Sequence, residues 1–164
     1  MKTNTKIVCL GSFITGICFA PLLSAQELPK AGTFTVHTGW KLVAEPIEVA
    51  DKITQGHGNV VGVSFNDKGS GPLHQGPAIC FFTFFTREGS SLEKGYCAFG
   101  DPDGDRIFTD WDGTNNGTDE QGINRIAGGT GKYKGITGSG PWKCWATGAP
   151  GASRCTQRFD YKLP

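Results

Sequence analysis

Between Thr33 and Leu163 the chain is a succession of short stretches in which apolar and polar residues alternate, each cut off by Gly, Pro, Asn or Asp. That rhythm leaves few folds open. The stretch "TFTVHTGWKLV" puts Phe34, Val36, Trp40 and Leu42 on one face and Thr35, His37 and Lys41 on the other, the pattern of a half-buried strand. "NVVGVSF", "AICFFTFFT", "KGYCAFG", "DRIFTDWDG", "QGINRIAGG", "ITGSGPWKCWATG" and "SRCTQRFDYKL" continue it, and no segment carries a convincing helical period. Roughly eight or nine strands at about 8- to 12-residue spacing predict an all-β sandwich or barrel. A barrel is the simpler solution, because closure removes exposed edges and eight strands enclose room for packed side chains or one small ligand.

Six glycines, Gly128, Gly129, Gly131, Gly135, Gly138 and Gly140, crowd the stretch "IAGGTGKYKGITGSGPW" from Ile126 to Trp142. A phosphate-binding loop would need Ser or Thr after Lys132 and a long helix behind it; a β pattern follows instead. The glycines therefore predict corners, bulges and close backbone approaches, with Ser139 as a corner residue rather than a nucleophile. The string "AGGTGKYKGITGSG", with Tyr133 among its glycines, resembles the signature of the allene oxide cyclase barrel-like superfamily, which also holds dirigent proteins and many secreted bacterial proteins. The resemblance covers about a tenth of the chain and implies a closed, eight-stranded antiparallel barrel of calycin type. It also implies that any catalysis would act on a small molecule held in the barrel, through a few charged groups and without a linear motif.

The first 25 residues carry Lys2 and Lys6, an apolar run interrupted by Gly11, Gly16 and Pro21, and "SA" before Gln26. This is the layout of a secretory signal peptide, so residues 1–25 are expected to be removed and 26–164 to form a single barrel domain, secreted or periplasmic and with no stable membrane span. Removal leaves 14 basic against 15 acidic side chains, a net charge of −1, which speaks against nucleic acid as a partner. The cysteines that remain, Cys80, Cys97, Cys144 and Cys155, are even in number, as in disulfide-bonded exported proteins, and no C-x-x-C spacing suggests zinc. "REGSS" lies midway between the first two and "GAPGA" midway between the last two, so hairpins centred there predict Cys80–Cys97 and Cys144–Cys155 bridges across strands.

Asp101, Asp103 and Asp105 alternate in "GDPDGDR", a candidate for Ca²⁺, although Arg106 stands where an EF-hand has glycine; a tight Asp-Gly hairpin turn is the favoured alternative. Arg106, Asp110 and Asp112 share one strand face with Phe108 and are the catalytic candidates if that face looks inward; the opposite possibility puts Ile107, Thr109 and Trp111 inside. His37, His57 and His74 form no metal-ligand pair, and His74 lies in the loop "KGSGPLHQGP". Phe81, Phe82, Phe84, Phe85, Phe99, Trp142 and Trp145 complete an aromatic set large enough either to fill the interior or to line a pocket. The expectation is an exported barrel that binds a small apolar molecule or serves a structural role without catalysis, requires no cofactor and leaves homo-oligomerisation open. The alternatives are an isomerase- or cyclase-like enzyme and a Ca²⁺-binding surface protein.

Overall fold

The computed structural model describes residues 28–117 and 119–164. The expected signal peptide, residues 1–25, lies outside them. Eight strands follow one another in chain order: β1 (Ala31–Ala50), β2 (Ile53–Asn66), β3 (Gly76–Arg87), β4 (Ser90–Gly100), β5 (Arg106–Asn115), β6 (Glu120–Gly129), β7 (Thr137–Ala146) and β8 (Ala152–Lys162). Each pairs antiparallel with the next, and β1 pairs with β8, so the sheet closes on itself as an eight-stranded barrel. Among the described residues the only helical turn is a 3₁₀ turn at Gly131–Tyr133, in keeping with the strand rhythm of the sequence.

Alternation along the strands decides what faces inward. In β1 Phe34, Val36, Thr38 and Trp40 are buried, and in β5 Ile107, Thr109 and Trp111. Large inward rings find room where the facing strand has glycine. A Cβ on Gly113 would lie 2.4 Å from Cζ2 of Trp142, and one on Gly95 would lie 2.9 Å from Cε2 of Trp111. The two indoles meet edge to face with centroids 5.3 Å apart, a favoured aromatic geometry. Inward hydroxyls are paired as well: Thr38 donates to Gln157 (2.9 Å) and Thr109 to Asn124 (3.3 Å). The bridges Cys80–Cys97 and Cys144–Cys155 both form between residues directly opposite in register, as the turn positions predict.

The two ends of the barrel differ. At one end lie both chain ends of the sheet and the connections β2–β3, β4–β5 and β6–β7. There Tyr133, Leu73, Ile136, Phe99, Ile107 and Phe159 are almost wholly buried and plug the interior. The plug hangs on Asp101, itself 5% exposed, whose carboxylate accepts hydrogen bonds from the Tyr133 hydroxyl and the Leu73 N–H, each 2.5 Å, and pairs with Lys132 at 2.8 Å. Leu73 holds a positive φ of 60°, uncommon for a non-glycine residue, while Ser64 donates to its carbonyl at 2.8 Å. The glycine-rich stretch thus docks the aromatic and the lysine of "GKY" onto a buried acid.

Gly131 shows why that stretch needs glycine. Its φ is +50°, and a Cβ there would lie 1.7 Å from Oδ1 of Asp105. Ser139, expected at a corner, lies instead within β7 on its exposed face. Gly131→Val should lower stability by about 2 kcal/mol or more, read as the midpoint of urea unfolding. Asp101→Ala leaves a buried hydroxyl and a buried amide without their acceptor, takes one of the two carboxylates from Lys132, and should cost about 3 kcal/mol or more in the same assay; midpoints within error of the parent would remove Asp101 as the anchor of this end.

Candidate functional site: a half-open barrel lumen

The other end, bounded by the hairpin connections β1–β2, β3–β4, β5–β6 and β7–β8, is not plugged. A cavity of ≈ 470 Å³ enters the barrel there, within the range of small-molecule pockets. Its wall is aromatic and aliphatic, with Trp40, Val60, Phe82, Phe84, Trp111 and Trp142, and both disulfides contribute to it. A wider depression of ≈ 1080 Å³ borders Phe85, Leu92 and Ile123 of the outer face and shares Phe84, Glu93 and Trp142 with the lumen, but it is more open and carries charges of both signs, Lys94 and Asp112 among them.

Two carboxylates face the lumen, Glu93 from β4 and Glu120 from β6. The strand between them supplies Asn115, which stands opposite Glu120 in register and hydrogen-bonds Glu93. Burial raises the pKa of Glu93 above the usual carboxylate range, against the lowering effect of Asn115. Burial also pushes Glu120 up to about 7, and the negative charge of Glu93 adds to the rise. Among the described residues no Lys, Arg or His side chain lines the cavity. The indole N–H groups of Trp111 and Trp142 are buried and have no hydrogen-bond partner.

The catalytic candidates read from the sequence do not reach this lumen. Ile107, Thr109 and Trp111 point inward, so Arg106, Phe108, Asp110 and Asp112 stand on the outer face, for the same reason of alternation that made them share a face. Asp110 and Asp112 bracket the Arg125 guanidinium in an exposed ion-pair cluster. The calcium candidates are likewise engaged: Asp101 anchors the plug, Asp103 pairs with Lys132 at 2.6 Å, and Asp105 accepts the Lys132 N–H at 3.1 Å. Asp101–Asp105 form the connecting turn, with Gly104 at φ +95°, and among the described residues no three His, Cys, Asp or Glu side chains converge as a metal site. His74 accepts from the Asn66 N–H at 3.2 Å and helps shape its loop.

Glu93 and Glu120 escaped the sequence reading, yet a signal existed. In "SSLEKGYCAFG" Glu93 has the same parity as Cys97 and Phe99, and in "EQGINRI" Glu120 has that of Asn124 and Ile126. An acid in phase with a buried bridge cysteine belongs inside.

The fold and site define a class: a closed antiparallel barrel, stapled by two disulfides, with one plugged end and one open, acidic, aromatic end. No protein-family model matches the chain, and no curated protein matches it.

Because the folded-state pKa of Glu120 lies above the ordinary value of 4.5, its contribution is fully present below that pH and is lost as pH rises through about 7. Glu93, shifted in the same direction, acts with the same sign. The melting temperature should therefore fall between pH 5 and pH 8, and Glu120→Gln should flatten most of that fall. An equal fall in the variant would show that the lumen acid is not its source.

Proposed function

We propose that the chain is an exported barrel whose lumen binds a small, largely apolar molecule. The observation that carries this reading is the ≈ 470 Å³ cavity, walled by aromatic rings and furnished with a few convergent polar groups. A barrel needing only a structural core would gain from filling that space, since unfilled apolar volume forfeits packing energy. Export is supported by the signal-peptide layout of residues 1–25 and by two disulfides, which persist in oxidising compartments. Among the described residues no helix is long and apolar enough to cross a membrane.

One observation favours a second reading. Two carboxylates of raised pKa in an enclosed site can take up and return protons, as an isomerase- or cyclase-like reaction on the bound molecule would require. The resemblance of the "AGGTGKYKGITGSG" stretch to the allene oxide cyclase barrel-like superfamily points the same way.

Native mass spectrometry of the protein purified from its own compartment, with organic extraction of what is bound, tests the first reading. A stoichiometric apolar compound is the expected result; a protein that carries none, and takes up none from a panel of apolar probes, would overturn it. Conversion of the extracted compound into an isomer on prolonged incubation, lost in Glu93→Gln or Glu120→Gln, would favour the enzyme.

A further inference from the structure

We propose that the lumen recognises an amphiphilic organic cation, a molecule with an apolar body that packs among Phe82, Phe84, Trp111 and Trp142 and a protonated amine that pairs with Glu93 and Glu120. This inference rests on the lumen being a binding site and names the chemistry of its ligand.

Charge is the first ground. The open end presents two carboxylates from β4 and β6, and the described residues that line the cavity offer no cation to either. Other acids nearby have partners of their own: Asp119 pairs with Lys143 at 2.8 Å, and both are substantially exposed. Above about pH 7 an anion entering this space would meet two like charges. A neutral molecule would strip water from the carboxylates and give no countercharge in return. An ammonium group restores what burial removed, and charge-assisted hydrogen bonds to carboxylates are among the stronger ones.

The rings are the second ground. The faces of Trp and Phe attract cations, more strongly where water is excluded. Phe82 links the wall together, its centroid 6.1 Å from that of Phe84 and 6.0 Å from that of Trp111. Trp111 and Trp142, only 9% and 6% exposed, pack edge to face with centroids 5.3 Å apart and line the same cavity, so the ring wall is held in place by its own contacts.

The groups that face Glu120 from the packed elements are Glu93 on β4, Asn115 on β5 and the bridged Cys144 on β7, so Glu93 is the only other titrating group among them. A cation should bind more tightly once both carboxylates are ionised.

Three probes that share a body and differ in charge test the inference: 4-phenylbutylamine, 4-phenylbutanol and 4-phenylbutanoate, titrated calorimetrically into the intact, disulfide-bonded protein. At pH 8 the amine should bind about tenfold or more tighter than the alcohol, with the carboxylate weakest, and the amine's advantage should shrink on going to pH 5. Glu93→Gln with Glu120→Gln should bring the amine close to the alcohol. Equal binding of amine and alcohol at pH 8 would overturn the cation while leaving the lumen as an apolar site. Failure of all three to bind would overturn both. The ranking in the parent protein does not depend on the double variant folding.

Discussion

The ladder between β1 and β8, running from Ala31 opposite Lys162 to Lys41 opposite Ala152, turns an eight-stranded meander into a closed surface. Before that pairing no face of the sheet is inside. After it, every second residue of every strand is committed to a space of fixed circumference, because strand number and stagger set the diameter of a barrel. The inward indoles, the inward glycines opposite them and the two inward disulfides follow from that one commitment.

Within the closed space, filling is uneven for a reason visible in the connections. At one end the loop carrying Leu73 and the turn carrying Tyr133 fold inward because Asp101 holds both, and the acid is tolerable there only because a hydroxyl, an amide and an ammonium surround it. At the other end the described connections send no apolar plug inward, and Glu93 and Glu120 stand where packing would otherwise continue. These two are buried near each other with one amide between them and, among the described residues, no cation beside them, and burial raises the pKa of both. Polar groups held against the interest of a tight core mark the places where a fold has been shaped for something besides stability.

Much of the fold was legible in the residues. Alternation identified the strands, and turn residues placed midway between cysteines identified the bridges, since both rules are local. The glycine-rich stretch announced a corner, and Gly131 meets that expectation with a positive φ and no room for a Cβ. The site was much less legible. Arg106, Asp110 and Asp112 were grouped correctly on one face, but period 2 is silent on which face is the inner one. The aspartates of "GDPDGDR" looked like a cation loop because spacing alone does not reveal that Lys132 and Tyr133, some thirty residues on, arrive to occupy them.

What the sequence determined by itself was therefore the alternation of the strands, the positions of the turns and the pairing of the cysteines, each the product of interactions between residues near in the chain or symmetric about a turn. Only the tertiary structure decided which parity faces the lumen, which end of the barrel is stopped and that Glu93 and Glu120 meet across β5. Closure is the physical reason: the inside of a barrel exists only once its first and last strands have paired, and a cavity is a property of the space the strands enclose rather than of any one of them.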